Sequence, residues 1–156
     1  MKKYLYFLLP LIYLALYHIT KFIVIKNITY QSFIKINDYF NLVNISNTGV
    51  AFSMFQDNNI FFIILVSFVI LFVIYFLIKN KEELTKLQTH SLLLILAGGT
   101  GNLIDRLFRG AVVDFIDIGY KDVYRWPAFN VADSCVCIGV ALFIISLLFF
   151  NKKAKV

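Results

Sequence analysis

Residues 60–78 read IFFIILVSFVILFVIYFLI, nineteen positions without a charged side chain. A membrane-crossing helix needs about 20 predominantly apolar residues, and an unbroken run of this length exceeds what a buried strand requires. Lys79, Lys81 and Lys86 follow closely, so the run ends in a basic flank. The rest of the chain agrees with this reading. Of its 156 residues 60% are hydrophobic and only 15% charged, whereas a soluble domain is about half apolar and about a quarter charged. A content of 17% aromatic residues with seven Gly and two Pro also excludes a solvated, disordered coil.

Three further apolar stretches lie on either side, at residues 4–25, 91–107 and 130–150. The expected fold class is therefore a membrane all-α protein with four transmembrane helices in a single domain, residues 1–156. The net charge of +6 suggests nucleic-acid binding until the charges are located. Lys2, Lys3, Lys79, Lys81, Lys86, Lys152, Lys153 and Lys155 flank three span ends. Placing them all in the cytoplasm satisfies the positive-inside rule and requires an even number of spans. Both termini are then cytoplasmic, and segments 26–59 and 110–129 lie outside. The basic start is not read as a cleaved leader, because Leu16-Tyr17-His18-Ile19 offers no small-x-small site. Cys135 and Cys137 stand two apart on one predicted helix and cannot bridge each other. With two distant His they do not make a zinc site, and no metal or cofactor is expected.

This orientation sorts the polar residues by depth. Thr20 and Lys21 fall near the outer end of the first span, and Asn102, Asp105 and Arg106 near the outer end of the third. Asp133 sits about one turn inside the fourth, sharing a face with Asn130. Ionisable residues in a membrane are costly and usually face the protein interior, so three spans bring their polar groups to one outer-leaflet location. Ala97, Gly98, Gly99 and Gly101 in the third span suit close helix packing, with room for a substrate as the lesser reading. The following Gly110-Ala-Val-Val-Asp-Phe-Ile-Asp117 is β-branched and reads as an extended return that carries Asp114 to the membrane surface. Taken alone, Asp114 would be a surface charge and Asp133 a buried partner of Arg106. Together, beside two Asn side chains, they suit chemistry. Two close carboxyls cannot both ionise cheaply, so they share a proton. One then acts as general base on water while the other polarises a carbonyl. The sequence holds no Gly-x-Ser-x-Gly, His-Glu-x-x-His or phosphate-loop motif.

The outer segment from Tyr30 to Phe55 is β-like, with Phe33, Ile34 and Ile36 before an Asn37-Asp38 turn and Phe40, Leu42, Val43 and Ile45 after it. Asn47-Thr48-Gly49-Val50-Ala51-Phe52 then turns into the second span. Asn47 and Gly49 suit a left-handed turn; the functional alternative is that Asn47 holds a substrate backbone.

Asn47-Thr48-Gly49-Val50-Ala51-Phe52, Gly101-Asn102-Leu103-Ile104-Asp105-Arg106, Val112-Val113-Asp114-Phe115-Ile116 and Phe129-Asn130-Val131-Ala132-Asp133 resemble, in order and depth, the motifs of the bacterial lipoprotein signal peptidases (signal peptidase II). These are intramembrane aspartic proteases, and the resemblance covers essentially the whole chain. It implies Asp114 and Asp133 as the catalytic pair and Asp105 as scaffold. It gives supporting roles to Asn47, Gly49, Asn102, Arg106, Asn130 and Lys21. It also implies an outer β-cradle and a mobile helix-bearing loop, in the segments 30–55 and 110–128. The implied substrate is a prolipoprotein with diacylglycerol on its cysteine, cut just before that cysteine in the bacterial inner membrane. Membrane lipid is a partner, nucleic acid is not, and a monomer is expected. One motif departs: the family's Asp-Gln-x-Thr/Ser-Lys is here Tyr17-His18-Ile19-Thr20-Lys21. A relative that binds lipoprotein without cutting it is therefore the alternative reading. An ion-coupled carrier is a third, and apolar inner span halves leave it no path.

Overall fold

A computed structural model describes residues 5–49, 58–121 and 123–150 of the chain. Lys2, Lys3, Lys152, Lys153 and Lys155, which contribute to the orientation argument, lie outside the described residues, as do Val50, Ala51 and Phe52 of the turn motif. Among the described residues are four long helices, α1 (Leu5–Asn27), α2 (Asn59–Lys79), α3 (Lys86–Arg109) and α4 (Val131–Phe149), and four strands, β1 (Phe33–Lys35), β2 (Phe40–Asn47), β3 (Val112–Tyr120) and β4 (Tyr124–Arg125), with β1 and β2 between α1 and α2 and β3 and β4 between α3 and α4. Among the described residues, α2, α3 and α4 are long and apolar enough to cross a membrane. On α2 only Phe62 and Val73 are buried, while Ile60, Ile64, Phe68, Leu71 and Ile78 stand exposed. A helix apolar on every face and open along most of its length has lipid as its solvent.

The third helix starts five residues before the expected position 91. The stretch Lys86–His90 is polar and hides the helical period, but a capping box marks the true start. Thr85 Oγ1 accepts from the Gln88 backbone N–H at 3.2 Å, and Gln88 Oε1 accepts from the Thr85 N–H at 2.9 Å. The Thr-x-x-Gln spacing was the available signal. At its other end α3 stops on Gly110, whose φ of 75° lies in the left-handed region that glycine enters freely. The chain then passes directly into β3.

The glycines of α3 divide by direction. A Cβ on Gly98 would collide with the Ala132 carbonyl, and one on Gly101 would come within 2.9 Å of the Tyr17 ring. Both allow close backbone approach, as does Gly139 on α4, where a Cβ would lie 2.7 Å from the Ser91 carbonyl oxygen. Gly99 faces Ile70 across ordinary contact distance, 3.5 Å, and borders a cavity.

The two outer segments form one antiparallel sheet in the order β1-β2-β3-β4. This revises the expectation of a separate helix-bearing loop: the described part of 110–128 pairs as strand because Val112–Ile118 is β-branched and apolar and meets the edge of β2. The register runs Leu42↔Ile116, then Ile45↔Asp114. β2 thus carries one extra residue there, a bulge. Asn44 lies in it, buried, with its Nδ2 donating to the Ile28 carbonyl at 2.8 Å. Val24 and Ile28 of α1 and its exit pack with Phe115, seating the sheet on the helices. Phe129 bridges to Ile116 just before α4 begins.

Candidate active site

Asp114 is the third residue of β3 and only 3% exposed. Asn47 pairs with Val112 in the register, so its side chain is a diagonal neighbour of Asp114 on the same sheet face. Asn47 Nδ2 donates to Asp114 Oδ2 at 3.0 Å, and Asn47 Oδ1 accepts from the Gly49 N–H at 3.0 Å. Asn47 therefore holds the turn at Gly49 with its oxygen and turns its amide NH2 to the aspartate.

Asp133 is positioned by the start of α4. Asn130 is the N-cap: its Oδ1 accepts from the Ala132 and Asp133 N–H groups at 2.8 and 3.1 Å, and its own N–H donates to Asp133 Oδ2 at 3.0 Å. This reciprocal box satisfies orphan donors of the first turn. The remaining Asn130 Nδ2 donates to Asp114 Oδ1 at 2.7 Å and reaches Asn102 Oδ1 at 3.3 Å. Asn102 Nδ2 donates to Asp133 Oδ1 at 2.8 Å. Each carboxyl thus has both oxygens engaged by N–H donors, and Asn130 serves both. Burial pushes the Asp114 carboxyl up to about 7, and the neighbouring Asp133 charge adds to it. The Asn47 and Asn130 donors and the Lys21 charge pull the other way. Desolvation dominates because the ionised form loses its water.

A second polar cluster lies behind the first. Lys21 and Asp105, each 1% exposed, form an ion pair, and Lys21 also donates to the Tyr17 hydroxyl. Asp105 Oδ2 accepts the Val113 N–H at 3.2 Å, pinning the first residues of β3 to α3. Arg109 lies 3.5 Å from Asp105 Oδ1. Tyr17, 2% exposed, places its hydroxyl 3.1 Å from both Asn102 Oδ1 and Asp105 Oδ2. From sequence Tyr17 was a departure outside the catalytic set; its seat against Gly101 is a tertiary fact. Arg106 does not engage Asp133 as the structural alternative supposed. Its Nη2 donates to the Gly49 carbonyl at 2.6 Å, and its Nη1 reaches the Thr48 carbonyl and Asn59 Oδ1 at 3.3 Å. Arg106 and Gly49 therefore brace the turn that carries Asn47.

Asp114, Asp133, Asn47, Asn102 and Arg106 form the polar rim of a cavity of about 760 Å³. Its walls descend along α2 from Phe62 to Val73 and along α3 from Arg106 to Ile95, about 16 Å of helix each. Below the rim the lining is almost wholly apolar.

Two carboxyls on the rim of an apolar cavity, within a bundle of membrane-type helices, are the arrangement that a membrane-embedded peptidase of the aspartic type requires. The family model described as signal peptidase (SPase) II matches residues 9–149. Lipoprotein signal peptidases of similar sequence include that of Borrelia hermsii, 39% identical over 86% of this chain and 84% of that protein. That of Thermodesulfovibrio yellowstonii is 42% identical over 81% and 82%. A solved structure described as a bacterial membrane enzyme superposes with a TM-score of 0.85 at 31% identity, covering 97% of this chain and 93% of that one. The chain belongs to the signal peptidase II family.

Proposed function

We propose that this protein removes the signal peptide from diacylglyceryl-modified prolipoproteins, cutting before the lipidated cysteine, with Asp114 and Asp133 as the catalytic pair. The observation that carries the assignment is Asn130, which donates to both carboxyls from one side chain and one backbone N–H above an apolar cavity. Such a fixed pair does proton chemistry without reorganising.

Asp114, raised to about 7, holds the shared proton and polarises the scissile carbonyl. Asp133 lies in the first turn of α4 with N–H donors on both of its oxygens and serves as the base of the pair. It takes the proton of a water that attacks the carbonyl carbon. As the tetrahedral intermediate collapses, that proton passes to the departing amine, which is the cysteine end of the substrate. The apolar walls below the rim take the substrate's hydrocarbon, and the dry surroundings strengthen the rim's hydrogen bonds.

In the same reading all four helices cross the membrane, both termini are cytoplasmic and the sheet lies on the extracytoplasmic side of the bacterial inner membrane. The enzyme works as a monomer. The basic flanks Lys79, Lys81 and Lys86 support this orientation.

The non-cutting alternative rested on the loss of an aspartate at position 17. Lys21 is nevertheless paired here, with Asp105, so the change at position 17 leaves no uncompensated buried cation, which favours the active enzyme. The test is cleavage of a lipidated and an unlipidated prolipoprotein by purified protein. Cutting of the lipidated form alone, abolished in Asp114→Asn and in Asp133→Asn, is expected; turnover surviving in either variant would overturn the pair.

A further inference from the structure

Tyr17 is among the most deeply buried large side chains described, yet its hydroxyl ends beside Asn102, a neighbour of the aspartate pair. The hydroxyl has one proton to give and two oxygens within 3.1 Å to receive it, Asn102 Oδ1 and Asp105 Oδ2. Asp105 Oδ2 is already supplied by Lys21 and by the Val113 N–H. Among the described residues Asn102 Oδ1 has otherwise only the long 3.3 Å approach of Asn130 Nδ2. Lys21 donates to the Tyr17 oxygen and occupies its acceptor side, which leaves the hydroxyl proton free to turn to Asn102 Oδ1.

A side-chain amide has one acceptor end and one donor end. Committing the Asn102 carbonyl to Tyr17 sends its NH2 toward Asp133 Oδ1, 2.8 Å away. The flipped amide would face a carbonyl oxygen to the Asp133 carboxylate and an NH2 to the NH2 of Asn130. We propose that Tyr17 is a positioning residue: through its hydroxyl, the first helix sets the orientation of Asn102 and thereby holds Asp133 in place. The proposal rests on the assignment of Asp133 to the catalytic pair. The Tyr17 ring, seated against Gly101, fixes where the hydroxyl stands.

Kinetic constants are to be measured on a diacylglyceryl-modified prolipoprotein for the unaltered protein, Tyr17→Phe, Asn102→Ala and the double variant, with thermal melting of each in detergent. Tyr17→Phe keeps the ring and removes only the hydroxyl. It is expected to lower kcat about tenfold, the loss of one oriented hydrogen bond, with KM within about twofold. The double variant is expected to match Asn102→Ala alone, because both changes break one path. An unchanged kcat in Tyr17→Phe, or losses that multiply in the double variant, would overturn the proposal while leaving the peptidase reading intact. The side-chain amide of Asn102 gives a second measurement, by NMR with selective nitrogen-15 labelling, that needs neither activity nor a variant. A slowly exchanging NH2 in the unaltered protein is expected, and a freely exchanging one overturns the proposal. If the unaltered protein does not cut, the functional reading fails, and the Asn102 amide still decides whether its orientation is held.

Discussion

Asn130 Nδ2 stands 2.7 Å from Asp114 Oδ1, so the residue that caps the fourth helix also grips the aspartate of the third strand. One side chain thus joins α4 to the sheet. Its Oδ1 is spent on the helix end and its NH2 on the site.

That division of labour makes the two roles separable. Asn130→Ser keeps a capping oxygen and loses the NH2. Melting in detergent should change by less than about 1 kcal/mol, since serine caps nearly as well as asparagine. The rate of cleavage should fall at least about tenfold, the loss of the hydrogen bond that holds the Asp114 carboxyl. Asn130→Ala should lose both, costing about 1 kcal/mol more in stability. Parallel melting and rate measurements check this.

The raised Asp114 carboxyl sets a pH dependence. Cleavage needs its proton, so activity should decline as pH rises through about 7. Stability should move the same way. The folded value lies above the ordinary 3.8, so between about 4 and about 7 the folded state holds more protons than the unfolded one. The associated stability is present below that window and lost as pH rises through it. Asp114→Asn should flatten this part of the melting profile, which a series of thermal scans across the window would show.

Adjacent glycines on α3 should respond oppositely. Gly98→Ala drives a methyl into the Ala132 carbonyl and should cost about 1–3 kcal/mol of stability, with activity falling because α4 carries Asp133. Gly99→Ala meets Ile70 at 3.5 Å and should fold as well as the unaltered protein. Thermal melting of the two variants side by side is the check; equal losses would show that α3 and α4 do not approach as closely as described.

Lys21→Met should be among the more damaging single changes outside the aspartate pair. It leaves Asp105 buried without its principal cation, a loss on the order of 3–5 kcal/mol. Adding Asp105→Asn removes the stranded charge and should recover part of the melting temperature. A double variant no more stable than Lys21→Met would refute the ion pair as the source.

Much of this protein is legible from one sequence. The charge-free run at 60–78 fixes a membrane helix because lipid accepts nothing else of that length. The Asn37-Asp38 signal marks the β1–β2 turn, where Asn37 Oδ1 accepts the Tyr39 and Phe40 N–H groups. Asn102, Asp105 and Arg106 could be placed near the end of α3, and Asn130 and Asp133 at the start of α4, from the sequence. The start of α3 was missed because its first turn is polar, although the Thr85-Gln88 box was there to be read.

What spacing could not provide is direction around each axis. Asp105 and Arg106 are adjacent on one helix, yet one turns toward Lys21 on α1 and the other toward the Gly49 turn ahead of α2. That choice follows from the rotation of α3, which Gly98 and Gly101 set by letting Ala132 and Tyr17 come close. The bulge at Asn44 likewise sets the strand register that brings Asn47 alongside Asp114. Local sequence determined the helices and the turn, because those depend on hydrophobicity and backbone preference within a few residues. Only the tertiary structure decided which polar groups meet, because a hydrogen bond between residues 17 and 102 or 47 and 114 depends on how whole elements pack.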